Sequence, residues 1–239
     1  MKKMIFVLSL MTGLSTFGKE PITDKKIMIG FNIGTSANTA YFEDENKNDT
    51  KNRTKVGGFG GFTFEGRLAD KFSLETGVGF VNKGASQALG DPAVIAGDGK
   101  IHVVKNGRNT LNFQSIEVPL IAKVYLGKKK IFNVNAGGFF SYAFKINMVS
   151  SGKDVGTNKN VSIKNDKLEL LGKKMFNPID AGVNLGFEFI SQKGFGAGLK
   201  LNQGLVNGMN KDFFTNVGLP APDKKMFHTG VQLYFIAKF

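Results

Sequence analysis

Carboxylates and cations recur in this chain at spacings that put them on one side of extended segments. Glu65 and Arg67 stand two residues apart, Glu117 and Lys123 six apart, Asp180 and Glu188 eight apart, all even intervals. Successive side chains of a strand point to opposite faces, so even intervals share a face. Glu75, Lys145, Lys200 and Lys238 each alternate in the same way with apolar neighbours. Such groups could exchange protons with a substrate, or they could neutralise one another. No nucleophile and no access path accompanies them. A structural ion network of Glu65, Arg67, Glu75, Glu117, Lys123, Lys145, Asp180, Glu188, Lys200 and Lys238 is therefore expected, because buried charges need partners.

Other chemistry is sparse. There is no cysteine, so neither a disulfide framework nor a thiolate metal site exists. The two histidines, His102 and His228, lack the spacing of a zinc site. Asp44 to Asp49 resembles the start of a calcium loop, but Asp49 stands where glycine belongs and Lys55 where the closing glutamate belongs. Gly57-Gly58-Phe59-Gly60-Gly61 and Gly194-Phe195-Gly196-Ala197-Gly198 have no helix after them to hold a phosphate. Neither a cofactor nor a catalytic residue is expected.

The elements that must carry the charges are strands. The one that organises the chain opens near Met226: Phe227, Thr229, Val231, Leu233, Phe235, Ala237 and Phe239, all apolar but Thr229, alternate with His228, Gly230, Gln232, Tyr234, Ile236 and Lys238. It closes on Phe239 with no polar tail, as suits a strand that seals a barrel in lipid. Reading from the front, strands are expected over about 27–42, 55–68, 72–83, 111–127, 131–148, 176–190, 195–206 and 226–239. Their oily faces include Ile27, Ile29, Ile33; Phe62, Phe64; Leu74, Val78, Phe80; Ile116, Val118, Leu120; Phe140, Tyr142, Phe144, Ile146; and Val183, Leu185, Phe187. The connections run long, short, long, short, long, short, long. That rhythm predicts an all-β fold: an eight-stranded antiparallel up-and-down transmembrane β-barrel with four long outer loops and three short periplasmic turns.

A soluble sandwich also alternates, but its polar face meets water and would be denser in Lys and Glu. Here the oily faces carry no charge, and the opposite faces are half Gly, Asn and Ser. Small residues suit the narrow lumen of eight strands. Mixed signs across that lumen predict a plugged barrel. Phenylalanines near predicted strand ends suggest two interfacial belts: Phe72, Phe132, Phe195 and Phe239 below, and Phe42, Phe80, Phe113, Phe144, Phe176 and Phe227 above.

The formal charge of +13 invites a nucleic-acid reading. The start of the chain argues against it. Lys2 and Lys3 precede the apolar run Met4 to Leu14, and small residues follow around Gly18, the layout of a secretory signal peptide. The run is far short of the roughly 20 residues that cross a bilayer as a helix. The expected division is a signal peptide over 1–18, a polar lead over 19–26 and the barrel over 27–239. A secreted basic protein meets lipid phosphates before it meets DNA, so no nucleic-acid partner is expected.

Two stretches resemble a known family: Leu74-Glu75-Thr76-Gly77-Val78-Gly79-Phe80 with Lys83-Gly84, and Ile116-Glu117-Val118-Pro119-Leu120-Ile121-Ala122-Lys123. Together they resemble the small outer membrane protein beta-barrel domain family, which includes PorT-like proteins and is frequent in Bacteroidetes. The resemblance implies an eight-stranded barrel in the cell outer membrane, in contact with lipid and lipopolysaccharide. It implies insertion by the barrel-assembly machinery, with Phe235 and Phe239 in the terminal recognition signal. The family has no single activity. A structural or surface-interaction role is the first expectation. A secretion or transport accessory, or a narrow pore, is the alternative. An envelope lipid-modifying enzyme ranks last, because the His-x-Ser pair of lipid A deacylases has no counterpart at His102 or His228.

Overall fold

The computed structural model describes residues 21–43, 52–89, 93–97, 100–164, 175–216 and 225–239. The signal-peptide reading over 1–18 and the calcium-loop reading over 44–49 fall outside them. In chain order the strands are β1 (Ile27–Glu43), β2 (Asn52–Arg53), β3 (Lys55–Ala69), β4 (Phe72–Ala88), β5 (Ala93–Gly97), β6 (Lys100–Leu126), β7 (Phe132–Asp154), β8 (Asn160–Lys164), β9 (Ile179–Ile190), β10 (Phe195–Gly204) and β11 (Lys225–Lys238). A 3-10 turn, Ile22–Asp24, precedes β1, and a short helix, α1 (Lys211–Asn216), precedes β11.

Eight of these strands close a ring. β1 pairs β3, β3 pairs β4, β4 pairs β6, and the chain continues through β7, β9, β10 and β11 back to β1, every pairing antiparallel. The seam between β1 and β11 runs from Gly30↔Lys238 to Glu43↔Lys225. Closure leaves no edge in lipid, where an unpaired backbone group would be costly. No helix among the described residues is long and apolar enough to cross a membrane.

The short turns follow from local chemistry. Asp70 and Lys71 join β3 to β4, and residues 127–131 join β6 to β7 with Gly127 at φ 71° and Lys130 at φ 52°. Between β9 and β10 the turn needs Gly194: its φ is +89°, and a Cβ there would meet the Lys238 carbonyl oxygen at 2.1 Å. These turns, the 3-10 turn and the end of β11 share one side. Lys130 Nζ reaches Asp70 at 2.5 Å and Asp24 at 3.5 Å, binding three of these segments together.

The outward wall is the predicted oily one. Phe62, Phe187, Leu120, Leu185, Leu233 and Phe235 are all more than half exposed, and so are Ile27 and Ile29. In water such a surface would be untenable at this extent; against acyl chains it is the stable arrangement.

Three local expectations are corrected. First, Ile146 is fully buried, not lipid-facing. Gln114 pairs Lys145 and Ser115 pairs Ala143, so a bulge around Phe144 flips the alternation of β7. Beyond it Ile146 and its partner Phe113 point inward. Second, Phe113 and Phe176 leave the proposed upper belt: Phe113 is 3% exposed, and the two rings meet edge to face at 5.7 Å. The side chain of Phe42 is outside the described residues. Third, the stretch from Gly84 to Thr110 shows no sustained period yet is largely strand. β4 runs to Ala88, β6 begins at Lys100 and β7 runs to Asp154. With β5 and β8 these extensions form a sheet that continues past the barrel on one side.

Candidate functional site: the charged lumen

The lumen is built in layers. At the short-turn end, Ile22 is 5% exposed and clusters with Met28, Ile190 and Ile236. The lead expected to be only polar therefore caps this mouth, anchored by the Ile22 N–H donating to the Gln192 carbonyl at 3.0 Å.

Above the cap lies a five-member ion cluster. Lys123 Nζ (β6) donates to Glu75 (β4) at 2.7 Å and Glu188 (β9) at 2.6 Å, and lies 3.7 Å from Glu65 (β3). Lys238 Nζ (β11) donates to Glu75 at 2.8 Å and to Glu65. Ser73, Tyr125 and Tyr234 hydroxyls and the Asn133 amide donate to the remaining lone pairs of Glu65 and Glu188. All five charged side chains are 0–4% exposed. Strands of 12 to 27 residues can bring these groups together only because the register sets Glu65 beside Glu75 and Lys123 beside Asn135. Arg67 lies at the rim of the same layer, its guanidinium carbon 5.0 Å from the Tyr125 ring centre.

A second cluster follows toward the outside. Lys83 Nζ (β4) meets Glu117 (β6) at 2.7 Å and Asp180 (β9) at 3.3 Å, and sits 4.1 Å from the Phe139 ring centre. Lys55 Nζ donates to Asn82 Oδ1 at 2.6 Å and to the Lys83 carbonyl at 2.8 Å. Lys200, 6% exposed, lies over the Tyr234 ring at 5.4 Å. Among the described residues, then, five carboxylates inside the wall (Glu65, Glu75, Glu117, Asp180, Glu188) stand against five ammoniums (Lys55, Lys83, Lys123, Lys200, Lys238), with Arg67 at the rim.

The outermost layer is apolar again: Phe113, Ile146, Met226, Ala40, Ala85 and Ala143, with Met209 and Phe176 packed on them. His228 is buried here, its ring 4.8 Å from that of Phe113. His102 lies elsewhere, on the sheet beyond the barrel, 3.3 Å from Asp154. The two histidines are thus parts of a packed layer and of a hydrogen-bonded pair with Asp154. Among the described residues no group of three or more potential ligands could hold a metal.

Small residues make this filling fit. A Cβ at Gly198 would stand 2.5 Å from the Tyr234 ring, and one at Gly186 would stand 2.8 Å from Asn135 Oδ1. The hollow beside Glu117, Lys200 and Gln232 holds about 30 Å3, and that beside Lys83, Asp180 and His228 about 10 Å3. Each is water-sized. A larger hollow of about 490 Å3 is walled by Val183, Leu185, Leu201 and Val231. Those side chains are 40–55% exposed on the lipid-facing wall, and the buried Asn38, Asn184 and Asn202 line the hollow with them.

Of the ten predicted network residues, the structure gathers Glu65, Glu75, Lys123, Glu188 and Lys238 in one cluster and Glu117 with Asp180 in the next. Arg67 and Lys200 stand beside aromatic rings of the same interior. Lys145 is corrected: it pairs with Gln114 past the β7 bulge, on the face opposite the inward Phe113 and Ile146. Sequence reasoning missed Lys55 as a lumen charge and Tyr125, Tyr234 and Phe139 as lumen partners. Tyr125 is two residues from Lys123 and Tyr234 four from Lys238, so strict parity would have found both.

The family stretches singled out in the sequence are neighbours. Leu74↔Ala122, Glu75↔Ile121, Thr76↔Leu120, Gly79↔Glu117 and Phe80↔Ile116 pair across β4 and β6. Their joint effect is to aim Glu75, Lys123, Glu117 and Lys83 into the lumen.

Comparison with solved structures finds similar folds at low identity. Ail, the attachment invasion locus protein of Yersinia pestis, is 9% identical, with 90% of this chain and 100% of that chain covered and a TM-score of 0.39. Neisserial surface protein A is 10% identical over 90% and 98%, with a TM-score of 0.42. The outer membrane protein OprG from Pseudomonas aeruginosa is 12% identical over 90% and 97%, with a TM-score of 0.40. No curated protein matches the chain. The model of the family described as "Outer membrane protein beta-barrel domain" matches residues 18–209. With most of its length matched and its strands closed in a ring of eight, the chain belongs to the outer membrane protein beta-barrel domain family.

Proposed function

We propose that this is a non-enzymatic barrel of the cell outer membrane whose lumen is sealed, and whose role is carried by its outer surface. The observation behind this reading is the order of layers inside: an apolar cap, a cluster of paired ions, a second cluster and a second apolar layer. An ion entering would have to part buried pairs whose separation costs several kcal/mol each. The strands on the far side from the short turns extend well past what lipid needs, and they offer the surface for interaction. A signal peptide cut near Gly18 delivers the chain, and the terminal Phe235 and Phe239 serve recognition by the assembly machinery. Its standing partners are outer-membrane lipid and lipopolysaccharide. N-terminal sequencing of the mature protein is expected to begin within a few residues of Lys19.

Planar-bilayer recording of the refolded protein tests the seal. The expected result is no steady conductance; a reproducible open channel would overturn it. The resemblance of the paired β4 and β6 stretches to a family that includes PorT-like proteins supports a second reading, a secretion accessory. Loss of protein secretion on deletion, with the bilayer still silent, would favour that second reading. Turnover of labelled lipid by the pure protein would contradict the non-enzymatic assignment.

A further inference from the structure

About nine to eleven residues of a tilted strand suffice to cross a bilayer. β6 has 27 and β7 has 23, so more than half of each stands beyond the membrane. There they are joined by β5 and β8 in a sheet of four strands. The two faces of this sheet differ sharply.

The inner face holds a small apolar core. Val104 is fully buried, Ile163 is 8% exposed, and Leu89 and Val161 pack on them. Asp154, the partner of Val104 in the register, lies on this face and pairs with His102. The outer face continues the side of β6 and β7 that meets lipid lower down through Ile116, Val118, Tyr142 and Phe144. A second bulge, between Lys105 and Arg108 with Asn106 at φ 51°, brings three cations onto it. Lys105 stands directly opposite Lys153, and Arg108 directly opposite Ser151; all three cations are exposed. Asn160 and Ser162 extend the same two rows on β8. Among the described residues no acid occupies this face.

Like charges directly opposite on adjacent strands destabilise a sheet. The sheet tolerates Lys105 against Lys153 at no benefit to itself, and turns its one described acid to the other side. An anion lying between the rows would convert the repulsion into attraction. The direction of the face says which anion: it looks sideways from the barrel, over the membrane surface, in line with the lipid-facing wall beneath it.

We propose that this face docks on the anionic lipid of the outer leaflet beside the barrel, with Lys105, Arg108 and Lys153 taking lipid phosphate groups and Ser151, Ser162 and Asn160 supplying neutral hydrogen bonds. The inference rests on the surface role proposed above and names its partner. It would anchor the projecting sheet against the membrane and fix the tilt of the barrel.

The test uses the full mature chain folded in zwitterionic detergent. Lipid A carrying its phosphates is titrated against it and binding is read by native mass spectrometry, with phosphate-free lipid A and heparin as separate arms. A juxtamembrane cation contributes roughly a fivefold gain toward an anionic lipid surface. The triple variant Lys105→Gln, Arg108→Gln, Lys153→Gln is expected to lose at least tenfold in affinity for phosphorylated lipid A and nothing for the phosphate-free form. The double variant Lys105→Arg, Lys153→Arg is expected to keep the binding. Heat-shifted gel migration confirms that each variant is a folded barrel. Equal binding of phosphorylated lipid A by the wild type and the folded triple variant would overturn the proposal. So would heparin binding the wild type more tightly than phosphorylated lipid A does, which would assign the face to a soluble polyanion. Neither result touches the bilayer recording, so a failure here is distinct from a failure of the sealed-lumen reading.

Discussion

Replacing Lys123 by Met tests the central layer of the lumen. The methionine has similar length and no charge, so the volume is kept while one ammonium is lost. In the wild type Lys123 is completely buried and touches Glu75 and Glu188 at 2.7 and 2.6 Å. The cluster holds three carboxylates and two ammoniums, a net charge of 2 − 3 = −1. The variant makes it 1 − 3 = −2, and Glu188 keeps only the Tyr234 and Asn133 donors. Breaking a buried pair by removing one partner costs about 3–5 kcal/mol, mostly the penalty of the stranded charge. At about 1.4 kcal/mol per decade, the unfolding equilibrium constant in vesicles should rise by two to four decades. Far-UV circular dichroism against urea, with gel migration as a second probe, reads this; the chain has no tryptophan to follow by fluorescence. Adding Glu188→Gln removes the stranded charge. The double variant is therefore expected to be more stable than the sum of its parts predicts, by about 0.5–3 kcal/mol of coupling. A Lys123→Met barrel within about 1 kcal/mol of wild type, with the same slope in urea, would show that the cluster is open to water and refute the layered lumen.

Three further outcomes follow from the geometry. Phe113→Ala should cost about 3–5 kcal/mol in the same assay, since the ring sits in the outer apolar layer and not at a lipid interface; a loss under about 1 kcal/mol would restore it to the belt. Gly194→Ala should destabilise by more than about 1 kcal/mol, because alanine is strained at φ +89° and its Cβ would meet the Lys238 carbonyl oxygen; an unchanged urea midpoint would refute this. Outside the membrane, the Thr157 backbone N–H and hydroxyl, and then His102, hold the Asp154 carboxyl below its usual range. A depressed pKa means that this turn is stabilised above the unfolded Asp value and loses that support as pH falls through the folded one. Carboxyl carbon shifts should therefore titrate below those of a free Asp, and Asp154→Asn should speed amide exchange at Thr157.

Strict alternation made the barrel legible, because lipid imposes the same rule on every strand: Phe187 out, Glu188 in, Phe189 out. The same rule misplaced Ile146 and Lys145. A bulge inserts one residue without altering composition, and only the partner strand reveals it, through Gln114 facing Lys145 while Ser115 faces Ala143. The strand extensions were hidden for a different reason. Between Gly84 and Thr110 the sheet stands in water on one face and on a two-residue core, Val104 and Ile163, on the other. So small a core leaves little apolar signal to count. The ion network was visible as charges on one face, but its contacts depend on inter-strand register, which single strands do not encode. Ile22 stands in a polar lead, and nothing local says that one isoleucine among Lys and Asp will close a mouth.

The seam between the first and last strands does more than join two edges. Glu65 and Glu75 face each other across the early hairpin of β3 and β4, whereas Lys238, which contacts both, arrives at the far end of the chain. Until β11 zips onto β1 those acids lack half of their counter-charge, so the early hairpin is a poor guest for hydrocarbon by itself. Closing the ring and delivering the second ammonium are one event, and a polypeptide that stops before β11 leaves both acids short of it.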